Sequence, residues 1–367
     1  MLIHSLKLQN FRSYKKVDVN LDQNTIFIGQ NAQGKTNLLE AVYVCSVGKS
    51  YRAKERDLVL WGEDFFRIES EIEGGKEKKV ELIYEKNIGK GRKTVKINGA
   101  KKASSALLDA VKCIFFSPEE IDMFFGFPSS RRRHFNVFIS QTDGDYRRHL
   151  IKYSKVLDQR NSLLRLIREG LAKEKDLEVW DGKLAEHGSS IIKKRKQALQ
   201  EINKNLAEDY GAIAGSTDTL KLGYLPSQKS GSKEEDAWGS FLQALLASRK
   251  KDVLSGVTNV GPHRDDFQFI LNERSLVDFA SRGEFRSAIL ALKMSEAKVL
   301  KSKTGTTPIL LLDDVFSELD EQRRKCLAKN FSGQQTIVTT TDLDHIDKSL
   351  AKNASIYKIE NGKLEKL

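Results

Sequence analysis

The feature that most restricts what this 367-residue chain can fold into is the octapeptide Gly29-Gln30-Asn31-Ala32-Gln33-Gly34-Lys35-Thr36. It fits Gly-x4-Gly-Lys-Ser/Thr, the loop whose small residues let backbone N–H groups close on phosphate oxygens. The loop needs a strand in front of it and a helix behind it. Thr25–Ile28 is a short apolar run ending in glycine, and Leu38, Leu39, Val42 and Cys45 recur at helical spacing after it. The local order strand, loop, helix places the segment in an α/β domain. All eight residues, Gly29 to Thr36, are therefore candidates for binding ATP. Lys35 would reach the β- and γ-phosphate oxygens, and Thr36 would ligate Mg²⁺ through its hydroxyl.

Such a site has a second half. Ile309-Leu310-Leu311-Leu312 is an unbroken apolar run that suits a parallel strand buried on both faces, and it ends in Asp313-Asp314. Asp313 would complete the Mg²⁺ shell with Thr36. Asp314 would orient or deprotonate an attacking water, so Asp314 and Lys35 are the catalytic candidates. Ser281-Arg282-Gly283-Glu284 opens a third element, with Phe285, Ala288, Ile289 and Leu292 at helical spacing behind it. Taken alone this is an N-cap serine with Glu284 at the capping-box position. Its place shortly before the acidic strand leaves a second, functional reading open.

The remainder of the chain fits around these landmarks. Residues 1–29 alternate as strands, and runs around Ile68–Ile72, Val80–Tyr84 and Thr94–Ile97 read as an antiparallel meander, with turns at Gly74-Gly75, Gly89–Gly91 and Asn98-Gly99. Tyr146, Leu150, Tyr153, Leu157, Leu164 and Ile167 then repeat at spacings of three, four and seven. A second helical stretch covers about Leu184–Tyr210, and Pro226–Glu235 reads as a loop. Strands return at Phe267–Leu271, Pro308–Leu312 and Thr336–Thr340. The expected organisation is a discontinuous head, residues 1–126 and 255–367, interrupted by a helical arm, residues 127–254.

Composition narrows the classes further. The three cysteines, Cys45, Cys113 and Cys326, are far apart and form no CxxC pair, which reads as reduced thiols in a cytoplasmic protein and speaks against a zinc site. Six scattered histidines do not suggest a metal-dependent nuclease. No stretch approaches the ~20 apolar residues of a membrane span. The net charge of +12 suits an acidic partner such as nucleic acid, and suits a solvated surface equally well. Candidate phosphate contacts are Arg131–Arg133, Arg147, Arg148, Lys152 and Lys193–Lys196. No helix-turn-helix, zinc-finger or stacking-aromatic pattern accompanies them, which points to backbone and shape rather than base sequence.

These elements together resemble the ATP-binding-cassette heads of chromosome-maintenance and repair ATPases. The match narrows through Asn10-Phe11-Arg12-Ser13-Tyr14, Ser50-Tyr51-Arg52, Phe116–Glu120, Gly126 with Arg131–Arg133, Leu157–Asn161, Gly261-Pro262-His263-Arg264-Asp265-Asp266 and Leu311–Asp320. In that order, over essentially the whole chain, they are similar to the RecF family of bacterial recombination mediators. The resemblance implies an ABC-type P-loop ATPase head, a parallel core sheet plus an antiparallel β-subdomain, carrying an inserted α-helical arm. It implies a homodimer formed on ATP that holds DNA at gaps or single-strand/double-strand junctions. It also implies weak, DNA-stimulated ATP hydrolysis acting as a switch, and work with RecO and RecR in loading RecA, with roles in replication and the SOS response. Carried onto this chain, Ser281 and Gly283 become signature contacts made in trans, Ser317–Asp320 a loop at the dimer interface, and Arg12 a residue near the nucleotide.

Bottom-up, the Gly261–Asp266 loop admits a plain reading as a turn held by its own side chains. Two other function classes remain beside the repair ATPase: a transporter's motor subunit and a structural chromosome ATPase. The first would lack the helical insertion, and the second would need hundreds of heptad residues there.

Overall fold

The computed structural model describes residues 1–73, 78–87, 91–118, 120, 126–227 and 236–367. The turn at Gly74-Gly75, most of that at Gly89–Gly91 and most of the Pro226–Glu235 loop lie outside the described residues. The chain forms two units, Met1–Ile121 with Ala212–Ser216 and Ile289–Leu367, and Asp122–Gly211 with Thr217–Ala288.

The first unit is built on two six-stranded sheets. One has the order β2-β1-β4-β5-β6-β7 and is antiparallel throughout, from β1 (Leu2–Phe11), β2 (Tyr14–Asn20), β4 (Phe65–Glu73), β5 (Lys78–Glu85), β6 (Arg92–Ile97) and β7 (Ala100–Lys102). Its alternating residues bury one face, as Phe66, Ile68, Ser70 and Ile72 do in β4. The other sheet runs β15-β14-β3-β13-β12-β8, from β3 (Asn24–Ile28), β8 (Cys113–Phe116), β12 (Ile309–Asp313), β13 (Thr336–Thr340), β14 (Ala354–Glu360) and β15 (Lys363–Lys366). It is parallel except for its last hairpin, β14–β15. Every residue of β12 and β13 is buried, as an unbroken apolar run in a central parallel strand requires. Helix α1 (Lys35–Val47) contacts strands of both sheets and buries residues around its whole circumference, so its apolar side chains join one core with those of β1, β4 and β12.

The second unit is mainly helical, with α2 (Pro128–Thr142), α3 (Gly144–Arg168), α4 (Glu178–Ala214) and α5 (Ala237–Ser255). It also contains a small sheet, β11-β10-β9, from β9 (Leu220–Leu225), β10 (Asp266–Leu271) and β11 (Arg274–Ser275). Residues 255–288, expected in the head, therefore carry strands that pair with β9 rather than with either large sheet, and Thr217–Ala288 packs as one piece of this unit. Helix α6 (Arg282–Thr304) begins in this unit and continues into the first at Ile289.

Buried polar struts hold the helices of this unit in place. Arg160 of α3 is fully buried and donates to Asp181 of α4 at 2.7 Å, to Asp252 of α5 at 2.8 Å and to Thr258 at 2.8 Å. Arg249 donates to the other Asp181 oxygen at 2.8 Å, and Asn161 accepts from the Thr258 backbone N–H and hydroxyl. The Gly261–Asp266 segment is built in the same manner. Gly261 sits at φ +121°, its carbonyl accepts from Arg264 N–H, and His263 is pinned between Tyr153 Oη at 2.7 Å and Thr258 O at 3.0 Å. Burial pushes the His263 imidazole down to about 4, so it is neutral in the folded protein. The segment is a structured turn, in line with the plain reading.

Arg160 bridges two buried carboxylates. Arg160→Ala is expected to cost about 3–5 kcal/mol by leaving them undercompensated. Urea denaturation followed by the fluorescence of Trp180 and Trp238 would measure this, and a loss below about 1 kcal/mol would show that water replaces the guanidinium.

Candidate functional site

The octapeptide loop leaves β3 at Ile28 and enters α1 at Lys35, the strand–loop–helix order its sequence demands. Two residues adopt left-handed backbone, Ala32 at φ +65° and Gly34 at φ +108°. At Gly34 the requirement is steric as well, since a Cβ there would lie 2.7 Å from Tyr14 Oη, which donates to the Gly34 carbonyl at 3.1 Å. The opposite flank is held by the β14–β15 hairpin, where Asn361 N–H donates to Gln33 Oε1 at 2.5 Å. A Cβ on Gly29 would sit 2.5 Å from the Ile359 carbonyl, so that strand packs directly against the loop.

The β3-β13-β12 order brings the acidic strand end to this loop. Thr36 Oγ1 donates to Asp313 Oδ1 at 2.9 Å, joining the two halves of the site. A hollow of about 140 Å³ is lined by Asn31, Gly34, Lys35, Thr36, Asp313 and Asp314 among others. Lys35 Nζ is folded back on the carbonyls of Gly29, at 2.5 Å, and Gln30, at 2.9 Å. Burial lowers the Lys35 ammonium below the usual lysine value, against the pull of Asp314 and Asp313, so an anion entering the hollow would restore it. Burial raises the Asp313 carboxyl, and the hydroxyls of Thr339 and Thr36 oppose that shift.

Asp314 follows at φ +51°, and its Oδ1 is buried with no hydrogen-bond partner among the described residues. An acceptor in that state needs a donor from outside them. A hydroxyl and a carboxylate converging beside a lysine form a hard-oxygen donor set, which fits Mg²⁺ with a phosphate ligand. A larger hollow of about 570 Å³ is bordered by Gly29, Gln30, Gln33, Thr341, Lys358 and Glu360 among others.

Glu40 was not singled out from the sequence. It is fully buried in α1 and binds Arg12 through two bonds, Nε to Oε2 at 2.8 Å and Nη2 to Oε1 at 2.9 Å. Arg52 donates to it at 3.0 Å and Ser50 at 2.5 Å. Burial alone would raise the Glu40 carboxyl, but bonds from Arg12, Arg52 and Ser50 outweigh it and hold it below the ordinary value. Arg52 also donates to Asn37 at 2.8 Å, one residue beyond Thr36. A lone acid inside the apolar run Leu38–Val42 was the available signal: at that depth it must be paired.

Ser281 and Gly283 stand at the start of α6. Ser281 donates to Glu284 Oε2 from its backbone N–H at 2.8 Å and from its hydroxyl at 2.7 Å, and accepts from Glu284 N–H at 3.2 Å. The capping-box arrangement is thus present, with Ser281 exposed. In Ser317–Asp320, Ser317 donates to the Asp314 carbonyl at 2.7 Å and Asp320 caps the following helix by accepting from Arg323 N–H at 2.9 Å.

Several expected phosphate contacts face inward. Arg131 is buried and pairs through two bonds with Asp266, at 2.8 and 2.6 Å, while Arg195 is buried against Pro262 O, Asn136 and Tyr146. Lys194 is bound to Asp143 at 2.6 Å, Arg132 donates to the Asp265 carbonyl at 2.9 Å, and Arg147 donates to the Ser140 carbonyl at 3.2 Å. Arg148 is exposed and paired with Asp145. Arg133, Lys152 and Lys193 are exposed. Cys45 and Cys113 are buried, whereas Cys326 is only partly so. Among the described residues no helix is long and apolar enough to cross a membrane.

The sequence matches the family described as RecF/RecN/SMC N terminal domain over residues 2–365. A Lachnospira eligens protein described as DNA replication and repair protein RecF is 36% identical, the alignment covering 99% of this chain and 98% of that protein. Its counterpart in Agathobacter rectalis is 37% identical, with 100% and 99% covered. The solved structure of the recombination mediator protein RecF-ATP in the RecFOR pathway superposes with a TM-score of 0.91 at 35% identity, covering 100% of this chain and 97% of that one. An Smc head bound to the C-terminal winged-helix domain of ScpA gives a TM-score of 0.55 at 15% identity, covering 100% and 98%, a likeness of fold alone.

Removing the Glu40 carboxylate leaves Arg12 and Arg52 against each other beside the loop. Glu40→Ala is expected to lower unfolding stability by about 3–5 kcal/mol, whereas Arg12→Ala, which leaves Glu40 with Arg52 and Ser50, should cost less. Denaturation of both variants tests the order, and an equal or reversed cost would place the strut elsewhere.

Proposed function

The chain belongs to the RecF/RecN/SMC N-terminal domain family, and from that membership we propose that it is an ATP-switched clamp of recombinational DNA repair. The observation that carries the reading is the buried Asp314 Oδ1, unpartnered among the described residues, next to the Thr36–Asp313 bond at the mouth of the glycine loop. In this reading Lys35 exchanges the carbonyls of Gly29 and Gln30 for phosphate oxygens, and the N–H groups of the loop and the first turn of α1 close on the same anion. Thr36 and Asp313 would hold Mg²⁺, which would supply positive charge beside the phosphate oxygens. Asp314 accepts a hydrogen bond from the attacking water and takes its proton. A second copy contributes Ser281 and Gly283, so that closure of two heads completes each site and hydrolysis releases them.

The turnover we assign is weak, stimulated by DNA, and serves as a switch. The DNA held is a gap or a single-strand/double-strand junction, in work shared with RecO and RecR that leads to loading of RecA. The relatives named for replication and repair support this assignment. With Arg131 and Arg195 turned inward, Arg133, Lys152 and Lys193 are the expected phosphate contacts among the former candidates. The place of action is the cytoplasm.

Light scattering of the full chain tests the switch. The mass should double on adding Mg²⁺ and ATP, Ser281→Arg should stay monomeric, and Asp314→Asn should give dimers that persist because ATP is not cleaved. An unchanged wild-type mass, or wild-type hydrolysis by Asp314→Asn, would overturn the reading. For DNA, Lys152→Ala and Lys193→Ala should each weaken binding alike across sequences. Each should also reduce the slope of log K against log salt by about one for every phosphate that the side chain no longer neutralises. An unchanged slope would remove that lysine from the interface.

A further inference from the structure

The carboxylates at the end of β12 are tied together by a side chain from the neighbouring strand. Thr339 lies beside Asp313 in the parallel register of β12 and β13 and is fully buried. Its hydroxyl donates to Asp313 Oδ1 at 2.7 Å and accepts from the Asp314 backbone N–H at 3.0 Å. The directions are not interchangeable. An N–H can only donate, so the hydroxyl must accept from Asp314 and its single proton is committed to Asp313. The same Asp314 N–H also reaches the Thr339 carbonyl at 3.1 Å.

Two consequences follow from this geometry. Thr36 and Thr339 both donate to Oδ1 of Asp313, which fixes the carboxylate plane and leaves Oδ2 without a protein hydrogen bond among the described residues. Asp314 is held by its backbone N–H in a left-handed conformation, φ +51°, that is uncommon for a residue other than glycine. That conformation places its Oδ1 in the buried, unpartnered position described above.

We propose that Thr339 is a positioning residue that sets both acids at once, orienting Asp313 Oδ2 for the divalent cation and holding Asp314 for the attacking water. Thr339 itself touches neither cation nor water. The proposal rests on the reading of this site as an ATPase centre. Groups that orient a metal ligand from behind, when removed, cost about 10- to 100-fold in metal affinity or activity.

The test uses the full chain and two variants. Thr339→Val keeps the shape and removes the hydroxyl, whereas Thr339→Ser keeps the hydroxyl. ATP binding is measured by titration in EDTA and again across a Mg²⁺ series, alongside steady-state hydrolysis and the thermal unfolding midpoint. Thr339→Val should bind ATP in EDTA within about twofold of wild type, need about tenfold more Mg²⁺ for half-saturation, and lose about tenfold or more in kcat, with KM changed less than about threefold. Thr339→Ser should recover both losses.

The proposal is overturned if Thr339→Val keeps the wild-type Mg²⁺ requirement and kcat. It is equally overturned if ATP binding in EDTA falls as much as binding with Mg²⁺, if serine fails to rescue, or if Thr339→Val does not fold while Thr339→Ser folds with wild-type stability and no Mg²⁺ response. Failure of the underlying reading looks different: the wild-type chain itself would then show no Mg²⁺-dependent ATP binding, and the proposal would fall with it.

Discussion

A single hydrogen bond, from Thr36 Oγ1 to Asp313 Oδ1, joins groups 277 residues apart in the chain. It is possible only because β3 and β12 lie in one parallel sheet with β13 between them. Parallel neighbours need long crossovers, so the chain can run through an entire antiparallel sheet and a helical unit before it returns. The site sits at the carboxyl ends of the strands, where parallel sheets leave a crevice. The same strand order explains Thr339. The strand inserted between loop and acids is the one whose side chains reach both, and its last residues are therefore part of the site although no phosphate-loop or acidic motif includes them.

Much of this was legible because the relevant segments obey strong local rules. Gly29–Thr36 is constrained by steric space at Gly34 and by the strand before it, and Ile309–Leu312 is apolar throughout because both its faces are covered. Of the strands that were not read, β8, β14 and β15 lie at or next to the edges of the same sheet. In β15 the sequence Lys363-Leu364-Glu365-Lys366 is mostly charged, as exposed edge strands often are, and its pairing is set by the Asn361-Gly362 turn rather than by a hydrophobic face. In β9 the alternation was present, but a short strand between long helical stretches has no local marker of its partner, which is β10.

The basic residues illustrate a different limit. A charge run says nothing about direction. Arg195 follows Ile191 by four residues and precedes Leu199 by four, in the same phase as Ile202 and Leu206, all of them buried. Its phase along the helix, rather than its charge, is the informative property: that phase matches the inward-facing guanidinium with acceptors around it, where the charge run alone had suggested a phosphate contact. Glu40 and Arg160 follow the same logic: isolated charges in apolar positions that become hubs of buried networks. Such networks add little net stability over apolar packing, yet they penalise any arrangement in which one partner is missing, and here they fix the turn that carries Arg12 and the packing of three helices.

Part of the backbone strain lies at the same centre. Among the described residues eight non-glycine positions have positive φ, and of these Ala32 lies within the glycine loop, Asp314 at the acidic strand end and Arg12 against Glu40 of the helix that follows the loop. Each such residue costs on the order of 1–3 kcal/mol and persists only where its surroundings over-determine it. The compensations are visible. Arg12 is held by two bonds to Glu40 and by its N–H to Leu58 O, and Asp314 is held by Thr339 through both the hydroxyl and the carbonyl. A chain relaxed at these points would give up the geometry of Arg12 beside the loop and the open acceptor on Asp314. The buried carboxylate of Glu40 and the buried hydroxyl of Thr339 are thus the stabilising side of the same arrangement, and in the proposed reading the reception of an anion, a cation and a water depends on both being intact.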